Sequence, residues 1–364
     1  MSDERDMTPA VGDGASPDFG EKTGHGVPLH RNDWGDARWS YLYKDDTDYA
    51  AREAPETVAE AAVRARTGPL GDVAAGMMKP PVWTWEVPLY FWTGGMASGS
   101  AFVALACDLS GDNRSARIAR LVSLGALAAS PPLLILDLGR PERFFNMLRV
   151  FKTRSPMSMG AWALTIFGNL IGAAVGADLL GKRRTARALG AATAVTGGYL
   201  GSYTGVLLAG TAVPLWARSR LFLGPIFVCT ATGTGAAATN LVLVASGVAS
   251  GHPTRVALRE VQAGAMLAEL ALSTINERRL GAHAAPLHHN RAMKWAKRLV
   301  HGGLGMQLLR RRTGRSEAGL AASALYLLAG LLFRFAWVEA GKASASDDRA
   351  VAEMARSHTP SHTV

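Results

Sequence analysis

Long apolar runs decide what this chain can become. Stretches of roughly the 20 residues that a helix needs to cross a bilayer core fall at 86–108, 119–138, 160–181, 188–213, 222–247, 256–277 and 318–338. An eighth, around 292–309 ("AMKWAKRLVHGGLGMQLL"), is marginal: its apolar core is short, and Lys294, Lys297 and Arg298 occupy its first half. The predicted fold class is thus an all-α integral membrane protein, a bundle of eight transmembrane helices (seven clear, one marginal) over residues 81–342. A polar N-terminal arm, residues 1–80, precedes it, and a C-terminal tail, residues 343–364, follows.

Charge divides the chain the same way. Residues 1–80 hold fifteen acidic and nine basic side chains, a net of −6, so the remainder carries +16 of the overall +10. Short basic loops between apolar runs suit a lipid surface. No basic face continues along a helix as nucleic-acid binding would require, so no nucleic-acid partner is expected. The arm places Trp34, Trp39, Tyr41, Tyr43 and Tyr49 in a short acidic stretch. Disordered segments are usually poor in aromatics, so the arm is read as partner-binding. It opens without a basic region followed by an apolar core, and a cleaved leader is not expected.

The two cysteines, Cys107 and Cys229, lie in apolar runs with no CxxC, so this chain alone cannot hold a four-thiolate iron–sulfur cluster. None of the nine histidines falls in the middle of a clear span. Haem, which needs axial ligands inside the bundle, is not expected, nor is a metal site.

Spans alternate in direction, so three polar features fall at one membrane face, here called face A. Glu86 and Tyr90, four apart on one helix face, open the first span. Asp137 closes the second, followed by Arg140. Tyr199 and Tyr203 stand late in the fourth. Ionisable groups in membrane helices are functional candidates. Deeper, Gln262, Glu269 and Asn276 recur at steps of seven on one stripe of the sixth span, and Asn169 and Asn240 lie in the third and fifth. Glu269 is read as a proton-handling group, the two asparagines as interhelical hydrogen bonders. Glycines four apart (Gly95 and Gly99; Gly172 and Gly176; Gly197, Gly201 and Gly205) are read as close-packing positions.

Four stretches, "WTWEVPLYFWTGGMASG" at 83–99, "LLILDLGRPERFFNMLRVFKTRSPMSMGAW" at 133–162, "YTGVLLAGTAVPLW" at 203–216 and "RFAWVEAGKASASDD" at 334–348, resemble the NrfD-like membrane subunits of polysulfide reductase and related molybdoenzyme complexes. The resemblance runs from about Trp83 to Asp348. It implies an eight-helix subunit of the bacterial plasma membrane that binds a quinone (menaquinone or ubiquinone) near one face. A ferredoxin-like iron–sulfur subunit docks there and leads to a molybdopterin catalytic subunit. Carried onto this sequence, it implies quinone binding by Glu86, Tyr90, Asp137, Arg140 and Tyr203, with proton transfer by Asp137. Some members have a histidine where this chain has Tyr90 and an amide near Val87. The loop at 139–158, with Arg143, Arg149, Lys152 and Arg154, becomes part of the partner-docking surface.

A secondary transporter using Glu269, or a purely structural anchor, are the rival readings. No internal repeat supports the first, and the face-A cluster has no use in the second. Lys and Arg number 13 in the loops of each face, so charge does not orient the chain.

Overall fold

A computed structural model describes residues 78–138, 144–149, 151–153 and 155–357 of the chain. The arm through residue 77, the turn holding Arg140 and Arg143, and Arg154 lie outside the described residues, so the expectations placed on them are untouched. All described regular structure is helical. The elements are α1 Glu86–Leu109, α2 Asn113–Ala128, α3 Ser130–Asp137, α4 Phe144–Arg149, α5 Pro156–Leu179, α6 Arg183–Ala209, α7 Pro214–Arg218, α8 Arg220–Ala245, α9 Pro253–Leu280, α10 Ala285–His289, α11 Arg291–Thr313, α12 Ser316–Ala345 and α13 Asp348–Ser357, with a 3₁₀ turn at Gly281–Ala284.

Each expected span is occupied by a long helix, the marginal one by α11. The second is broken at Ala129 into α2 and α3. Pro131 and Pro132 cause the break: they lack an N–H, so carbonyls one turn earlier lose their donors. Four stretches are both long and apolar enough to cross a membrane: 113–137, 156–179, 220–245 and 316–345. The helices α1, α6, α9 and α11 have the length but not the apolarity. Gly, Ser and Thr dilute α1 and α6, while α9 and α11 carry charge at both ends. The tail contains a further helix, α13, rather than only irregular chain.

Helix α8 is the hub, packing against α1, α2, α6, α9 and α12. Glycine makes this possible. A Cβ on Gly99 would stand 1.9 Å from the Ala231 carbonyl oxygen, and one on Gly235 2.3 Å from the Gly99 backbone. Helices α1 and α8 therefore touch backbone to backbone. Gly205 of α6 meets Gly224 of α8 likewise, at 2.5 Å. Gly172 and Gly176, with the same spacing, face open space; they do not pack as expected, because their side of α5 points away from the bundle.

At the far end from face A, Arg120 of α2, 2% exposed, holds three helices together. Its Nη1 donates to Asp108 of α1 at 2.6 Å and its Nε to Asp178 of α5 at 2.6 Å. Asp112, in the α1–α2 turn, accepts from the Ser115 backbone at 3.1 Å and from Thr254 of α9. Partial burial of Asp112 raises its pKa, but these donors outweigh that and hold the carboxyl below its ordinary range.

At face A the aromatic residues lock the helix ends. Trp83 stacks on Trp216 with ring centroids 5.4 Å apart, and Trp216 Nε1 donates to the Trp337 carbonyl at 2.9 Å.

Two stability predictions follow from this packing. Gly99→Ala should cost about 1–3 kcal/mol through overpacking, lowering the thermal midpoint in detergent, whereas Gly172→Ala should be neutral or slightly stabilising. Arg120→Met should cost about 3–5 kcal/mol by leaving buried carboxylates unpaired. Adding Asp108→Asn and Asp178→Asn should recover much of that loss in the same melting assay.

Candidate functional site

Face A gathers the start of α1, the end of α3, the start of α5 and the end of α6. Tyr90 is 7% exposed and Tyr203 4%. Helix periodicity explains their burial. Tyr90 lies on the buried stripe of α1 that includes Gly94 and Ala97, towards Ser130 of α3 and Ser123 of α2, and Tyr203 on the side of α6 that meets Gly160 of α5. Ser98 ties α1 to α6 about two turns deeper, donating to the Gly197 carbonyl at 2.5 Å.

Tyr203 Oη donates to the Pro156 carbonyl at 2.9 Å. Gly160 permits this: a Cβ there would sit 2.0 Å from the tyrosine ring. The phenol proton is thus engaged while the oxygen keeps acceptor capacity. Tyr199, one turn away with a ring separation of 6.1 Å, is exposed. Glu86 is half-buried and accepts from Thr84 Oγ1; Asp137 is half-buried at the end of α3. Arg149 and Lys152, two of the expected docking residues, are exposed at the same end.

Beside this cluster lies an apolar cavity of about 240 Å³ between α2, α3, α4 and α5, lined among others by Leu134, Phe144, Leu148, Ala161 and Leu164. Ala161 is the neighbour of Gly160, so the cavity begins next to the helix turn against which Tyr203 packs. A phenol pair, two carboxylates and an apolar space therefore share one end of the bundle. Such a set can hydrogen-bond a polar ring, exchange protons with it and house apolar substituents.

The deeper stripe is continuous in burial. Gln262, Glu269, Ser273 and Asn276 of α9 are all 5% exposed or less. Ser273 Oγ donates to Glu269 at 2.7 Å, and Asn276 Nδ2 donates to Ser219 Oγ at 3.0 Å towards face A. Towards the opposite face, Ser323 bridges Gln262 and Asn240, and Arg255 bonds to Asn240 and to the Val248 carbonyl. Met266 interrupts the polar row between Gln262 and Glu269. Asn240 is an interhelical hydrogen bonder, as its sequence position suggested. Asn169 is not: it is exposed and bonds only locally, to the Thr165 carbonyl at 2.8 Å.

One residue escaped the sequence reading. Arg334, 1% exposed in α12, points into the bundle towards Gly95 of α1 and Phe227 of α8. Its guanidinium lies 4.1 Å from the Phe227 ring centroid and donates to the Phe227 carbonyl at 3.3 Å. Its Nε and Nη1 have no hydrogen-bond partner among the described residues. Glu269 is within electrostatic reach. An arginine well inside an apolar run was the available signal; the surrounding leucines and alanines concealed it.

Comparison with known proteins agrees with this architecture. Residues 73–343 match the family described as polysulphide reductase, NrfD. A protein of Haemophilus influenzae named "Protein NrfD homolog" is 25% identical over 199 residues, which cover 47% of this chain and 61% of that relative. The match spans most of the described helices, from before α1 to near the end of α12, and the chain belongs to the NrfD polysulphide reductase family of membrane proteins.

Proposed function

We propose that this chain is the quinone-binding membrane subunit of a multi-subunit oxidoreductase. In this reading all eight long helices, with α2 and α3 counted as one, cross the membrane. The subunit passes electrons between the quinone pool and an iron–sulfur subunit docked at face A, which leads to a molybdopterin catalytic subunit. The observation that carries the reading is the burial of two phenols, Tyr90 and Tyr203, together with an apolar cavity, at the end of the bundle that also bears Glu86 and Asp137. A structural anchor has no need to bury two phenols there.

A bound quinone supplies two-electron chemistry coupled to two protons. The residues of this chain fit its head group. Tyr90 donates a hydrogen bond to one oxygen. Tyr203, whose proton is held by Pro156, accepts from a hydroxyl on the reduced ring. Asp137, half-buried at the membrane boundary, exchanges protons between that ring and the aqueous face, with Glu86 as a second carboxylate and Arg140 as its cationic neighbour in the following turn. Exposed Arg149 and Lys152, together with Arg143 and Arg154, give an acidic partner surface a basic landing area.

Glu269 is assigned a separate role, holding a proton in the bundle interior under the influence of Arg334. The buried stripe of α9 supports it, running from Asn276 to Arg255. Met266 is the point at which any proton movement along that stripe must be gated.

Asp137→Asn and Tyr203→Phe, in the complex purified with its native partners, should each slow cluster reduction by a menaquinol analogue about 10²–10⁴-fold, the range for removing a general acid–base group. Assembly should be intact, and stopped-flow absorbance checks it; wild-type rates in both variants would leave an anchor. Gly160→Ala should displace the Tyr203 ring and reduce the same rate, with Tyr203→Phe adding little on top. That non-additivity marks a shared site.

A further inference from the structure

We propose that face A also holds a binding site for the phosphate of an anionic membrane lipid, in the cavity enclosed by the end of α6, α7, the start of α8 and the end of α9. This inference does not rest on quinone binding. The cavity measures about 600 Å³, and Arg218, Arg220 and Arg279 line it together with His283. No carboxylate is among the described lining residues. His283 is 3.4 Å from Glu353, which leaves the three guanidinium groups as the cationic set.

The arginines are arranged rather than merely adjacent. Arg218 Nε is sequestered and has no hydrogen-bond partner among the described residues, a donor that calls for an acceptor. Arg279 is held by its own bond to the Arg218 carbonyl, and its guanidinium lies 5.3 Å from the Phe222 ring centroid. Guanidinium forks match phosphate oxygens in geometry and charge, and a preorganised set loses little freedom on binding.

Position selects a lipid over a free anion. All three arginines stand at helix ends, at the boundary between the apolar segments and water. Leu221 follows Arg220 and is 70% exposed; Ile275 precedes Arg279 by one turn and is 52% exposed. These side chains give acyl chains an apolar track beneath the head group. With no carboxylate among the described lining residues and Glu353 taken up by His283, the three guanidinium groups favour an anionic head group over a choline or ethanolamine cation. Basic pockets between membrane helices are suited to this recognition.

The test titrates the purified full-length chain in detergent with phosphatidylglycerol, phosphatidylcholine or inorganic phosphate and counts bound lipid by native mass spectrometry. Phosphatidylglycerol should be retained and phosphatidylcholine should not. Arg220→Gln should weaken retention about fivefold, and Arg218→Gln with Arg279→Gln about 25-fold, taking one surface arginine as a fivefold effect. The Arg218→Lys, Arg279→Lys pair keeps the charge but loses the forks, so it should fall between wild type and the glutamine pair, and Arg312→Gln at the opposite face should change nothing. If the double glutamine variant fails to fold, the exposed Arg220 variant decides alone. Equal retention by all variants, or equal retention of both lipids, overturns the site. Displacement of the lipid by millimolar phosphate makes it a free-anion site instead. Unchanged lipid retention with loss of the redox partner during purification makes it a protein-docking surface, and the lipid proposal fails.

Discussion

Helix α8 can occupy the centre of this bundle only because α1 and α6 meet it with no side chain between the backbones. In lipid, apolar surface gains nothing by leaving the solvent for a neighbouring helix, so close packing must supply the attraction. Gly99, Gly205 and Gly235 supply it by letting main chains touch. Everything functional is hung from that contact. With α1 drawn onto α8, Tyr90 is buried near the start of α1; Tyr203, on the side of α6 that faces α5, reaches the Pro156 carbonyl. The same approach leaves room on α8 for Arg334 to lie across Phe227.

Polar groups inside this bundle fall into three tiers with different physical tasks. The Arg120 cluster is closed: its donors meet two carboxylates in tight geometry, and it fastens the helix ends opposite face A. The α9 stripe is half open: Gln262, Ser273 and the Asn276 Nδ2 make hydrogen bonds, while Asn276 Oδ1 and part of the Arg334 guanidinium have no partner among the described residues. At face A, Glu86 and Asp137 are half-buried at the same end of the bundle as the buried phenols. Satisfied polar groups stabilise, and unsatisfied ones in a low-dielectric interior cost free energy unless they serve a ligand or a charge in transit.

The positions of the long helices were legible because apolar length is a property of each segment alone. What faces a helix is set by its neighbours, and there identical sequence signals diverged. Gly95 and Gly99 pack, while Gly172 and Gly176 look outward. Asn240 reaches Ser323 across helices, while Asn169 folds back on its own. Arg334 was hidden by averaging, since one charge in an apolar run scarcely changes the composition of a 20-residue stretch. The break at Ala129 could have been foreseen from Pro131 and Pro132, yet the continuous apolar run masked it.

The central claim is that a quinone ring is held between α1 and α6 at face A. A photoreactive quinone analogue, cross-linked to the intact complex in membranes and mapped by peptide mass spectrometry, tests it most directly. The account predicts label in the peptides containing Tyr90 and Tyr203, competed away by excess unlabelled quinone. Label confined to other helices, or label on these peptides that competitor does not reduce, would contradict it.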